Sequence, residues 1–164
     1  MFSHEFVEQA AAEEQAGKKT RMRVSTVAAV QTHFSAVPLF EECSKRELRL
    51  LAKIAVIEPR AAGATLITEG QCGSDAYVIL RGKCRVMRKG RRVGAITVGS
   101  IVGELSMLNG AERNATVVAD SALEVAIIAR RDFLSLLRHS PSISRKLLTS
   151  LAARVQELDA RAPA

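Results

Sequence analysis

Three residues in one short stretch carry the chemistry of this chain. Gly103 and Glu104 sit near the start of the run Ile101–Ala119, and Arg113 follows nine residues after the glutamate. A short helix over Gly103-Glu104-Leu105-Ser106-Met107 leaves its first backbone amides without intrahelical acceptors. Those amides and the helix dipole together favour an anion. Gly103 has no side chain, so a ligand can approach its backbone closely. Arg113 adds a forked, charge-assisted contact to two phosphate oxygens, worth roughly 1.5–3 kcal/mol for a hydrogen bond to a charged group. Glu104 discriminates between ligands. A carboxylate beside a phosphate needs a hydrogen-bond donor or a counter-charge, and a ribose 2′-hydroxyl is such a donor. Phosphate and free 2′-hydroxyl side by side are what a 3′,5′-cyclic ribonucleotide presents. A plain Glu104–Arg113 ion pair bridging a loop is the alternative reading of the same residues.

The elements that must position these groups belong to one domain. The chain has 164 residues, 48% apolar and 25% charged, with five Phe, one Tyr and no Trp. That length holds one core, and the core must be aliphatic. Broad aromatic platforms for stacking bases are lacking. The net charge of +7 favours an anionic ligand or partner without choosing one. Cys43, Cys72 and Cys84 are odd in number with no C-x-x-C, so reduced thiols and a cytoplasmic location are expected. His4, His33 and His139 are scattered, which gives no metal-ligand spacing. No apolar run is long enough to span a bilayer, and the N-terminus does not read as a signal peptide.

Residues 1–24 read as a flexible or helical extension, acidic first and basic afterwards. Residues 25–160 form the domain, and 161–164 a tail. Thr26–Phe34 reads as a helix stopped before Pro38. Ser44-Lys-Arg-Glu47 fits a capping box, followed by Leu48, Leu50, Leu51 and Ile54 as the apolar side of the helix. From Ala55 to Ala129, seven or eight short apolar runs alternate with glycine-bearing turns. That pattern argues for a closed or rolled antiparallel sheet. Lys89-Gly90 signals a tight hairpin. The spacing predicts a helix over Asp132–His139 and another from Pro141 to Asp159, with Ser140 as its cap. Ile143, Leu147, Leu151, Val155 and Leu158 make one apolar stripe on the last helix, read as core. The fold expected is mainly β with flanking helices: an antiparallel β-roll, or jelly roll, between N-terminal helices and a C-terminal helix.

The stretch Gly103, Glu104, Ser106, Met107, Leu108, Arg113, Asn114, Ala115, Thr116 closely resembles the phosphate-binding cassette of the cyclic-nucleotide-binding domain family. That family includes protein kinase A regulatory subunits, cyclic-nucleotide-gated channels and the catabolite activator protein. The resemblance covers residues 30–159. It takes in Val37-Pro-Leu-Phe40, the glycine-bearing run from Gly70 to Gly82, and the approach Val98-Gly99 to the cassette. The resemblance implies that Glu104 receives the ribose 2′-hydroxyl and Arg113 the cyclic phosphate. Backbone amides at Leu105, Ser106 and Asn114 complete the phosphate shell, with Ala115 beside it. Ser106 stands where Ala is more usual, and Ala76 where an aromatic is frequent. Asn114 follows the arginine, where cGMP-selective members often carry Thr and many cAMP binders Ala or Ser. Its amide both donates and accepts, so cGMP stays open, and the family's usual choice leans to cAMP. The last helix covers the base in the family; here Arg154, Val155 or Leu158 would meet it, or would serve packing and solvation.

Residues 81–94 hold Arg81, Lys83, Arg85, Arg88, Lys89, Arg91 and Arg92 without an acid. Arg81, Lys83 and Arg85 alternate, so they are expected on one face of a strand. The hairpin is either a docking surface for an acidic partner or a solvated edge that resists pairing. No nucleophile–base pair, metal cluster or second placed carboxylate supports an enzyme. No prosthetic group is implied. No recognition motif supports direct DNA binding. No effector segment is read after the sensor in this sequence, so an output in trans is expected, through a protein effector or a homodimer; simple buffering of nucleotide and a place within a longer protein are the alternatives. The rival reading is a nucleotide-free interaction module that uses the basic hairpin or the N-terminal extension.

Overall fold

The structure is a computed structural model, which describes residues 24–163. The expected extension thus lies outside the described residues, except for Val24. Two helices come first. α1 spans Val24–Phe34 and α2 spans Lys45–Ile54, with a 3-10 turn at Pro38–Phe40 between them. Eight strands follow: β1 Val56–Arg60, β2 Thr65–Ile67, β3 Ala76–Arg81, β4 Cys84–Arg88, β5 Arg91–Ile96, β6 Ile101–Val102, β7 Thr116–Ala119 and β8 Leu123–Ile128. A short helix α3, Glu104–Asn109, interrupts them after β6. α4 Arg130–His139 and α5 Pro141–Arg161 close the described chain. All strand pairs are antiparallel, in two four-stranded sheets ordered β1-β8-β3-β6 and β2-β7-β4-β5.

Strand alternation builds two cores from one strand. Val78 and Leu80 of β3 face the helices and pack with Phe34, Phe40, Leu51 and Phe133. Ile79 points the other way, between the sheets, with Cys84, Val117 and Val125. Side chains on a strand alternate between faces, so β3 is apolar on both sides because both sides are covered. Lys89 and Gly90 take φ of 50° and 74° between β4 and β5. Positive φ at both loop residues matches a two-residue hairpin turn.

Two local expectations are corrected. Arg81, Lys83 and Arg85 do not share a strand face. Gly82, with φ of 89°, turns the chain between β3 in one sheet and β4 in the other. Arg81 therefore ends one strand, Lys83 lies in the turn and Arg85 belongs to the next. Ser140 makes no side-chain cap for α5. A single residue joins α4 to α5, and its φ of −136° and ψ of 75° fall outside the extended conformation from which a cap side chain reaches the first turn. Pro141 does occupy the helix start.

The apolar stripe of α5 also divides. Ile143 and Leu147 are buried, whereas Val155 and Leu158 are 57% and 66% exposed. A four-residue step advances about 400° around a helix with 3.6 residues per turn. The row 143-147-151-155 therefore drifts about 40° per step away from the core. The buried face instead runs through Ile143, Leu147 and Ser150, and its continuation at Arg154 points toward the cassette.

Glu47 fastens α5 to the N-terminal helices. Its carboxylate accepts from the Ser44 amide (2.8 Å), completing the capping box with the Ser44 hydroxyl, and reaches α5 through Ser142 Oγ (2.7 Å) and Lys146 Nζ (2.6 Å). Burial alone would raise this carboxyl. Hydrogen bonds from Lys146, Ser142 and Ser44 outweigh it and hold the pKa down to about 2. A depressed folded-state pKa contributes stability that is present above the unfolded value and lost as pH falls through the folded one. Chemical denaturation between pH 7 and 2 is expected to show an acid-limb loss from about pH 4.5 down to about 2. In Glu47→Gln that limb is expected to flatten. An unchanged acid limb in the variant would remove Glu47 as its source.

Candidate functional site

Gly103 ends β6 and starts α3. Its φ of 79° and ψ of 7° lie in the left-handed region that glycine adopts at no steric cost. The space beside it is also taken. A Cβ here would overlap the Arg113 guanidinium and sit 2.9 Å from the Asp75 carbonyl oxygen. Glycine is therefore required twice over. α3 is only six residues long and closes at Gly110, whose amide donates to the Ser106 carbonyl at 2.8 Å. Met107 is fully buried beneath it. Arg130 of α4 donates from Nε to the Met107 carbonyl at 2.8 Å, bringing a cation to the negative end of the short helix.

Arg113 is held from every side. Its amide donates to the Gln71 carbonyl (2.9 Å), and its carbonyl accepts from the Gly70 amide (2.8 Å). Nη1 donates to the Gly103 carbonyl at 3.1 Å and Nη2 to the Asp75 carbonyl at 2.6 Å. Gly73 lies flat against the guanidinium, where a Cβ would overlap it. The side chain is 7% exposed. Among the described residues, Arg113 has no carboxylate within ion-pair distance. Two neutral carbonyls orient the charge without cancelling it. An uncompensated buried charge is costly, and an anion would compensate it.

Glu104 does not pair with Arg113, so the simple loop-bridging ion pair is not what forms. Its Oε1 lies 3.6 Å from Nη2 of Arg154, which reaches across from α5. Gly103, Glu104, Leu105, Ser106, Arg113, Asn114 and Ala115 all line one pocket of about 220 Å³. Ser106 and Ala115 are buried in its wall, while Leu105 and Asn114 are exposed at its rim. The rest of the wall is mostly aliphatic, from Val86 of β4, Ile96 of β5 and Val117 of β7 among others. Arg154 reaches this pocket only through Glu104. Val155 and Leu158 are exposed and are not among its lining residues.

Two contributors were not singled out as site residues from the sequence. Gly73 sits among the glycines at 70, 73 and 82, and nothing in its type marks it as the one against Arg113. Arg88 lines the pocket and donates from Nε to the Asn114 carbonyl at 3.1 Å. Strand alternation was the available signal, since Arg88 lies two residues after the pocket residue Val86 and so faces the same way. Elsewhere on the hairpin, Arg85 and Arg92 both pair with Asp120, which follows β7. Two of the seven basic side chains thus share one carboxylate from outside the hairpin.

The fold is thus a β-roll that sets a buried guanidinium and a carboxylate in one small, mostly aliphatic pocket. The family model for the cyclic nucleotide-binding domain matches residues 58–140, and the chain belongs to that family. It is 29% identical over 127 residues to the cyclic AMP receptor protein of Thermus thermophilus, across 74% of this chain and 59% of that protein. It is 32% identical over 103 residues to a cAMP-dependent protein kinase regulatory subunit of Yarrowia lipolytica, across 62% of this chain and 28% of that protein. The chain thus spans less than two thirds of either relative. A solved cyclic nucleotide-binding domain from Methylobacillus flagellatus matches with a TM-score of 0.69 at 28% identity, covering 81% of this chain and 80% of that one.

The packing of Gly73 on Arg113 sets a direct test. Gly73→Ala is expected to destabilise the domain by about 1–3 kcal/mol, the usual cost of forcing atoms into a filled site. Gly94→Ala is the control, because a Cβ there meets nothing within 4 Å, and it is expected to stay within about 0.5 kcal/mol of wild type. Urea denaturation measures both. Equal stability of the two variants would contradict the close contact.

Proposed function

We propose that this domain senses a purine 3′,5′-cyclic nucleotide in the cytoplasm and regulates a partner in trans through α5. In this reading Arg113 takes the cyclic phosphate, completed by the backbone amides of Leu105, Ser106 and Asn114, with Ala115 alongside. Glu104 accepts the ribose 2′-hydroxyl. The observation that carries the sensing role is the Glu104–Arg154 pair at 3.6 Å. The carboxylate that would receive the sugar is already in contact with the C-terminal helix. Arg154 is 44% exposed, and an ion pair at such a surface is worth about 0–1 kcal/mol. A ribose hydroxyl can compete for a carboxylate so weakly held. Ligand entry then changes what α5 is tied to, and its effect is bounded by the difference in ligand affinity between the two arrangements.

The outer face of α5 supports an output by contact. Leu148, Val155 and Leu158 are each more than half exposed there, and they suit a protein effector or a second copy of the chain. Relatives named for cAMP make adenine the default base, a default that rests on likeness and not on a side chain of this pocket. The rival reading, a nucleotide-free module acting through its basic hairpin, predicts no binding of either nucleotide at millimolar concentration.

Calorimetric titration with cAMP and cGMP tests the assignment. Arg113→Ala is expected to lose at least about tenfold in affinity, following the value of a hydrogen bond to a charged group. Arg113→Lys, which keeps the charge, checks that the loss is not unfolding. Wild-type affinity in both variants would overturn the phosphate contact. Arg154→Ala is expected to bind within a few-fold of wild type. In hydrogen exchange, it is expected to lose the ligand-dependent change in α5. A change in α5 that persists in this variant would contradict the coupling.

A further inference from the structure

Arg88 is the pocket residue that the ribose and phosphate leave unused. It ends β4 at the hairpin turn, and alternation from Val86 aims it along the pocket wall. Its Nε donates to the Asn114 carbonyl, the residue next to Arg113. Among the described residues it forms no ion pair, unlike Arg85 and Arg92 of the same hairpin. Arg88 is exposed, and with Nε donating to that carbonyl its two terminal amino groups remain as parallel N–H donors.

The charged and amide side chains lining the pocket are Arg88, Glu104, Arg113 and Asn114. In the proposed function Glu104 serves the sugar and Arg113 the phosphate, and the role of Arg88 rests on that assignment. Arg88 and Asn114 then remain for the base, against an otherwise aliphatic wall. The two purines differ in what they offer such a group. Guanine carries adjacent acceptors at O6 and N7, whereas adenine pairs its N7 acceptor with an N6 amino donor. A guanidinium only donates. It matches guanine with two bonds and opposes one of adenine's groups donor to donor. Asn114, able to donate and accept, tolerates either base.

We infer that Arg88 reads the base and makes this a guanine-selective site, so that cGMP is its preferred ligand. The basic hairpin then has a function at its tip: it carries the base-reading residue to the pocket mouth. Parallel calorimetric titrations of cGMP and cAMP into wild type, Arg88→Ala and Arg88→Lys test this. Wild type is expected to bind cGMP at least about fivefold tighter than cAMP, the low end of the discrimination a bidentate base contact supplies. Arg88→Ala is expected to weaken cGMP by about tenfold and leave cAMP within about twofold. Arg88→Lys keeps the charge and can still donate to O6 and N7, but without the planar fork, and is expected to fall between wild type and the alanine variant for cGMP. The retained cAMP affinity shows that the variants are folded. Equal loss for both nucleotides would mean that Arg88 acts only by holding Asn114, and no loss for cGMP, or a wild-type preference for cAMP, would equally overturn base reading. Failure of wild type to bind either nucleotide would instead overturn the proposed function beneath it.

Discussion

A guanidinium buried without a carboxylate partner is the constraint around which this domain is organised. Arg113 could lie in the wall only if its charge were oriented and its neighbours made room. Orientation comes from the carbonyls of Gly103 and Asp75, one at the end of β6 and the other just before β3. Room comes from Gly73 and Gly103, which press on the guanidinium where any side chain would overlap it. The glycine-bearing loop then clamps the Arg113 main chain through Gly70 and Gln71. Segments far apart in sequence meet at one side chain.

The link from this centre to the outside runs through a second, weaker contact. Glu104 is mostly buried in the pocket that Arg113 also lines, yet its partner Arg154 belongs to α5. The root of α5 is firmly held. Ile143 and Leu147 are in the core, and Ser142 and Lys146 are tied to Glu47. Beyond Ser150 the helix becomes increasingly exposed. A helix anchored at one end and held near the other by a marginal ion pair can move without unfolding the domain.

Much of this was legible in the sequence, for identifiable reasons. The capping box at Ser44, the hairpin turn at Lys89-Gly90 and the separate apolar runs of β3 and β8 follow rules that act within a few residues. The cassette residues fall in one pocket because their spacing spans a single turn of helix and the loop after it. What was not legible depended on distance or on drift. Gly73 matters because of Arg113, forty residues away. The four-residue stripe of α5 fits a one-face pattern in the sequence, yet it winds off the core by Val155. Ser140 looked like a cap until two helices had to share it. Arg88 is one charge among seven in the sequence, and only the register of β4 on β7, with Met87 opposite Thr116, brings it beside Asn114.

The most direct test of the central claim asks whether the Arg113 pocket needs the phosphate. The thermal midpoint of the intact chain would be measured with a cyclic nucleotide and with its parent nucleoside, which has the same base and sugar. A ligand at 100 times its Kd adds about 2.7 kcal/mol to the folded state. For a domain of this size that is a rise of about 5–10 °C. The rise is expected with the cyclic nucleotide and not with the nucleoside. An equal rise with both, or none with either, would contradict the account.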